Sequence, residues 1–208
     1  MERTKKRIVA LISGTGSILQ CIIDATRWDT LDAEVVAAFS HEPWSYGLLR
    51  AEREGIPTIL HDLANYRFEG KTEREYVGDL ADQIESYEPD LVVLASWNLP
   101  FNEEFFRRFA NRMVNLQTGL PGQEHPLFDP YQRNPVSRAY EAYNAGLIRE
   151  AQVSVRMLNG VETHGRVIAQ KTVPIYDFDR LVDLEDRLNR VQQELLINTL
   201  RLVLRENS

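Results

Sequence analysis

The chain has a single cysteine, Cys21, among 208 residues. No disulfide can form within it, in keeping with a reducing compartment, and the expectation is a cytoplasmic protein. Cys21 itself reads as a small buried hydrophobe on a helix. No apolar run reaches the length of a membrane span, and the charged start Met1–Arg7 lacks the apolar stretch of a secretory leader. A membrane partner is not expected. Basic residues are outnumbered: 24 Lys and Arg stand against 31 Asp and Glu, a net charge of −7. The one basic run, Lys5-Lys6-Arg7, merely leads into an apolar segment. That balance argues against a nucleic-acid backbone as partner. The four histidines, His41, His61, His125 and His164, show no metal-ligand spacing, so no metal is expected. No Gly-Lys-Ser/Thr follows the first strand, and the one such triplet, Gly70-Lys71-Thr72, has Asn65 where a Walker loop needs its first glycine. The neighbouring acids Glu73/Glu75 and Glu103/Glu104 read as solvated helix faces.

What the chain does have is concentrated first in Arg7–Gln20. Five apolar residues, Ile8–Ile12, run into Ser13-Gly14-Thr15-Gly16-Ser17, and an apolar helical pattern follows through Ile18, Leu19, Ile22 and Ile23. This is a buried strand, a tight glycine turn and a helix N-terminus. Such a start presents unpaired backbone N–H groups and the positive end of the helix dipole to an anion. Gly14, Thr15, Gly16 and Ser17 are therefore the candidate phosphate-binding residues. Gly16 is expected to be glycine so that a phosphate can approach the backbone. The dinucleotide fingerprint G-x-G-x-x-G fits in part, with Gly14 and Gly16 present, Leu19 at the third position and Glu42 as the ribose-binding acid. A nicotinamide or flavin enzyme stays open as an alternative.

Strand and helix patterns then alternate. Strands are expected at Ala33–Ser40, Pro57–His61, Asp90–Ser96 and Arg112–Gln117, and helices at Ser45–Glu54, Thr72–Tyr87 and Asn102–Phe109. The wholly apolar middle of Asp90–Ser96 suits a central parallel strand covered on both faces. Thr118–Pro135 breaks the rhythm with Pro121, Pro126, Pro130 and Pro135, a loop of a length that is usually functional or mobile. A helix at Val136–Gly146 follows, then two strands, Val153–Leu158 and Arg166–Val173, read as an antiparallel pair about Asn159-Gly160. From Arg180 the tail is one long helix whose stripe Leu181, Leu184, Leu188, Val191 and Leu195 reads as a face docked on the sheet. A second copy of the chain, giving a homodimer, is the other occupant of such a stripe. One domain over residues 1–208 is expected, an α/β fold with a doubly wound, mostly parallel, Rossmann-like sheet and an antiparallel edge. Ligands of such sheets sit at the carboxyl ends of the strands.

Several blocks together resemble the glycinamide ribonucleotide formyltransferase family. Leu11-Ile12-Ser13-Gly14-Thr15-Gly16-Ser17-Ile18-Leu19-Gln20 is similar to its opening. Tyr46–Ala51 with Gly55–Thr58, Pro89–Ala95, Asn115 with Leu120 and Pro121, and Gly165–Gln170 with Val173-Pro174 follow in the family's order. The resemblance spans nearly the whole chain. It implies direct transfer of a formyl group from 10-formyltetrahydrofolate to the amine of glycinamide ribonucleotide or a related phosphorylated amine. In the family an asparagine and a histidine polarise the formyl oxygen, and an aspartate tunes the histidine. The asparagine is kept as Asn115. The histidine position holds Gln117, with one residue deleted after it, and the aspartate position holds Thr163, followed by His164. The substrate-binding glutamate maps to Gln192, with Glu194 close by. Two asparagines of the phosphate loop map to Thr15 and Ile18. The folate-contacting segment maps to Asn98, Leu99, Pro100 and Phe101, beside Trp97.

Gln117 can donate a hydrogen bond but carries no proton at neutral pH, and Thr163 cannot replace a charged tuner. General acid–base help is worth ~10²–10⁴-fold. His164 and His125 are the histidines left to replace it, although exposed loop residues are the plainer reading of both. His41 and His61, at the ends of edge-side strands, read as structural. Trp97 is core or pocket wall. Phe128, Tyr131, Tyr140 and Tyr143 either line an altered pocket or pack the loop. Two readings besides a rebuilt formyltransferase stay open: a weak or inactive family member that binds a phosphorylated or folate-like ligand, and an unrelated nucleotide-binding enzyme.

Overall fold

Alternation of apolar runs with glycine- and proline-marked turns builds a sheet wrapped by helices. The computed structural model describes residues 5–120, 134–158 and 165–206. The elements run β1 (Lys6–Ile12), α1 (Ser17–Arg27), β2 (Ala33–Ser40), α2 (Tyr46–Arg53), β3 (Thr58–Leu60), α3 (Leu63–Phe68) and α4 (Glu73–Glu85). Then come β4 (Leu91–Ala95), α5 (Glu103–Arg108), β5 (Met113–Gly119), α6 (Pro135–Asn144), β6 (Glu150–Leu158), β7 (Arg166–Pro174) and α7 (Leu181–Glu206).

The seven strands form one sheet in the order β3-β2-β1-β4-β5-β6-β7. Strands β1 to β5 are parallel, while β6 runs antiparallel to both β5 and β7. This is the expected doubly wound sheet with an antiparallel edge. The chain leaves β1 toward β2 and leaves β4 toward β5, so the winding reverses between these two neighbours. Such a switch point opens a crevice at the carboxyl ends of the strands.

Burial explains the strand patterns. Every residue of β4 is buried, because helices cover both of its faces. On one face Ile8, Ala10 and Ile12 of β1 pack against Leu19 and Ile22 of α1 and Leu196 and Leu200 of α7. On the other, Val9, Leu11 and Phe39 meet Tyr76, Leu80 and Ile84 of α4 and Phe105 of α5. The first part of α7 lays Leu184 and Leu188 on Val153 and Val173, with Val191 and Leu195 partly buried beside them. Four of the five residues of the last helix's apolar stripe are thus packed on this core.

Local signals fix the helix starts. Thr72 and Glu75 close a capping box on α4, Asn102 caps α5, and Asn134 caps α6 with Pro135 in its first turn. The expected loop Thr118–Pro135 is shorter at both ends, since Thr118 and Gly119 continue β5 and Pro135 opens α6. Strand β6 begins at Glu150, three residues before the expected start at Val153. Helix α3 was not expected: it has six residues and buries none of them, so it leaves no apolar period. His125, Phe128, Tyr131, Thr163 and His164 lie outside the described residues. Tyr140 and Tyr143 pack rather than line a pocket, donating to the Asp179 carbonyl and the Asp177 carboxylate ahead of α7.

Candidate active site at the carboxyl ends of β1, β4 and β5

The glycine turn after β1 delivers α1 with its start bare. Gly16 is the N-cap, no side chain caps the first N–H groups, and no acid stands in the first turn. The open N–H groups and the dipole of an 11-residue helix favour an anion there. Arg50, which the loop pattern did not point to, and Glu42, expected as a ribose-binding acid, adjoin it. Arg50 donates from Nε to the Thr15 carbonyl at 2.9 Å, while its ring neighbour Tyr46 lies 4.9 Å under the guanidinium. The Glu42 carboxylate accepts the Gly14 N–H at 2.7 Å.

Gly16 is required for a packing reason besides the expected one. Its φ is +67°, and a Cβ there would run into Gly47 Cα at the start of α2. A Cβ on Gly47 would in turn lie 3.0 Å from Gly16 Cα. The Gly14 carbonyl accepts from Gly47 N and Ser45 Oγ, which holds the two helix starts together. The side of Gly16 from which a Cβ would project is thus filled by α2.

At the switch point β1 and β4 are tied by their ends. Ile12 bridges Ser96, and Ser13 Oγ donates to the Ser96 carbonyl. Ser96 has φ +86°, a left-handed backbone unusual for a residue with a Cβ. From it the chain enters the expected folate segment. Trp97 is buried at 5% exposure, and its indole Nε1 has no hydrogen-bond partner among the described residues. Phe101 stacks between Trp97 and Phe105. Asn98 receives a contact that the sequence reading missed: His41, at the end of β2, places Nε2 2.5 Å from Asn98 Oδ1 and sets its ring edge-to-face with Trp97 at 4.9 Å. His41 is therefore a crevice residue. His61 is the structural one, buried with Nε2 2.8 Å from the Tyr76 carbonyl, and burial pushes its imidazole below the ordinary value.

Leu99, Pro100 and Phe101 also wall a cavity of about 580 Å³ that reaches Leu63, Tyr76 and Val77. Glu73, Glu103 and Glu104, expected on plain solvated faces, stand at its rim with Arg67, Arg74 and Arg107. Glu75 instead serves its own helix as the capping box.

Asn115 sits on β5 level with Leu94 of β4 and Arg156 of β6, and is 6% exposed. Among the described residues its carboxamide makes no hydrogen bond. Gln117 is two residues further on the same face, opposite Ser154. Gln192 lies across the sheet on the α7 side and donates to Thr118 Oγ1. Glu194 points elsewhere, to an exposed ion pair with Lys171 at 3.3 Å. Asn115 and Gln117, Trp97 and Gly14–Ser17 thus lie on or just after the neighbouring strands β5, β4 and β1, while Gln192 stands on the α7 side of the sheet and Glu194 pairs away from it. Cys21 is half-buried, its thiol pushed up to about 11 by burial, and serves α1 packing. No group of three or more metal-ligating side chains occurs among the described residues.

A switch-point crevice flanked by a bare helix start is the ligand site of the Rossmann-like α/β class. The formyl transferase family matches residues 6–200. The phosphoribosylglycinamide formyltransferase of Schizosaccharomyces pombe is 32% identical over 208 residues, spanning 96% of this chain and 98% of its own. The enzyme of the same name from Escherichia coli K12 is 32% identical over 181 residues, spanning 87% of this chain and 79% of its own. The crystal structure of glycinamide ribonucleotide transformylase 1 from Symbiobacterium toebii superposes with a TM-score of 0.81 at 26% identity, covering 97% of this chain and 88% of that one. The chain belongs to the formyl transferase family.

Proposed function

We propose that this protein moves a formyl group from 10-formyltetrahydrofolate to the amine of glycinamide ribonucleotide or a closely related phosphorylated amine. The observation that carries this reading is Asn115. A core position on a central strand favours an apolar side chain, yet here a carboxamide is buried at 6% exposure. Its amide is suited to donate to the formyl oxygen as negative charge grows there. Two further features support the reading. The bare start of α1, with Arg50 beside it, suits the acceptor's phosphate. The orphan Trp97 Nε1 and the aromatic stack behind it suit a flat heterocycle with acceptor atoms.

The chemistry asked of these residues is limited. The amine nitrogen attacks the formyl carbon, the C=O electron pair moves onto oxygen, and collapse breaks the bond to N10 of the folate. The proton lost by the amine is gained by N10, so the protein has to position the reactants and stabilise the oxyanion. The test is release of tetrahydrofolate from 10-formyltetrahydrofolate, followed by absorbance, with glycinamide ribonucleotide as acceptor. Turnover that depends on the amine is expected. Tight binding of a folate analogue without turnover on any phosphorylated amine would instead make this a catalytically silent, ligand-binding member of the family.

A further inference from the structure

One row of residues crosses the sheet through its strand ends: Phe39, Leu11, Leu94, Asn115 and Arg156, on β2, β1, β4, β5 and β6 in turn. The first three are fully buried and apolar. The row turns polar at two adjacent positions, one an amide and the other a cation. Directly opposed residues of an antiparallel pair share a face, with Cβ atoms about 4.5–5.5 Å apart. Arg156 is half-buried there, while its strand neighbours Val155 and Met157 face the other core. One step further along the pair, Gln117 faces Ser154, which is 5% exposed. The antiparallel pair thus carries a four-residue polar block at the level where the parallel strands end, and Arg156 is its one charged member.

We propose that Arg156 is a catalytic residue that places its guanidinium against the formyl oxygen beside the Asn115 amide. The proposal rests on the formyl-transfer reading above. The reaction develops a full negative charge on that oxygen. The resemblance puts a histidine and an aspartate near it, and this chain has neutral Gln117 and Thr163 in their places. A fixed cation from the neighbouring strand supplies the missing charge. A guanidinium stays protonated at any working pH, so Arg156 stabilises the oxyanion and does not carry the amine's proton. That proton reaches N10 through solvent, so the atom balance of the transfer is unchanged.

The experiment measures kcat and KM for amine-dependent tetrahydrofolate release by the native chain and by Arg156→Ala, Arg156→Lys and Arg156→His. Arg156→Ala should lower kcat ~10²–10³-fold, the size of one lost oxyanion donor, with little change in KM for folate. Arg156→Lys should recover part of the loss. Arg156→His should give a kcat that falls as pH rises through the imidazole range near ~6.5, because only the imidazolium replaces the charge. A merely structural role would lower the melting temperature without creating that limb. Asn115→Ala combined with Arg156→Ala should lose less than the product of the two single losses, since both act on one oxygen. A folded Arg156→Ala protein with kcat within tenfold of native would overturn the proposal and leave the formyl-transfer reading standing. Should that variant not fold, a pH-independent kcat in Arg156→His overturns it equally. A native chain that releases no tetrahydrofolate with any phosphorylated amine removes both.

Discussion

The carboxylate of Glu42 accepts the backbone N–H of Gly14 at 2.7 Å, so a negative charge stands at the mouth of the loop proposed to receive an anion. A phosphate seated on the bare start of α1 works against it. Two unit charges several ångströms apart at a protein surface repel by about 1–2 kcal/mol. Glu42→Gln keeps an oxygen to accept the Gly14 N–H and removes the charge. We expect affinity for inorganic phosphate to rise ~5–10-fold at neutral pH, read by calorimetry. Unchanged or weaker phosphate binding would mean that the anion of the ligand seats elsewhere.

His41 braces Asn98 and Trp97, the start of the segment read as the folate wall. Replacing His41 with alanine removes one hydrogen bond, worth about 1 kcal/mol. Binding of a folate analogue should weaken ~5-fold, while phosphate binding stays as in the native chain. Parallel loss of both in the same titrations would show that His41 holds up the strand ends in general and has no specific bearing on folate.

Ser96 holds φ +86° at the end of β4, where glycine would sit without strain. Only its backbone carbonyl is used by Ser13, so a glycine keeps that contact. Ser96→Gly should stabilise the fold by ~0.5–1 kcal/mol. For a domain of this size the melting temperature should rise by roughly 1–4 °C, and scanning calorimetry on the variant checks it. A lower melting temperature would show that the serine side chain contributes more than its backbone costs.

Burial keeps the His61 imidazole neutral in the folded chain, below its ordinary value, while the unfolded chain takes up a proton near ~6.5. The unfolded state therefore binds more protons in this window, and stability falls as pH drops from 7 toward 5. Asp183, held to about 2 by Arg180, gives up its contribution only in stronger acid. Urea unfolding across pH 5–7 should show the decline, and His61→Asn should flatten it. An equally steep decline in that variant would move its origin to another group.

The sheet was legible because each strand is a short apolar run with its own turn signals, as in Ile8–Ile12 and Leu91–Ala95. Helix α1 and the long last helix were legible from their apolar periods. Helix α3 was not, since it buries nothing. Gly14–Ser17 could be picked out locally, yet the packing reason for Gly16 could not: its partner Gly47 stands on the next helix. His41 and Arg156 were missed for a related cause, and Glu42 was named only as a ribose-binding acid. Their roles depend on which strand ends lie side by side and on the register of β5 against β6, and no spacing along the chain encodes that. Glu194 was named because it is near Gln192 in sequence, but two positions along a helix place it on another side, against Lys171.

The contact between Gly16 and Gly47 leaves the anion end of the crevice without slack, for neither helix start can shift without driving backbone into backbone. Asn115 is equally fixed, being laced into strands on both sides. Between β1 and β5 lie two interstrand spacings, about 10 Å. On the function proposed above, the crevice is therefore a gauge. It sorts acceptors by the length between their anionic group and their amine, and a molecule too short to span that interval can occupy one end only by vacating the other.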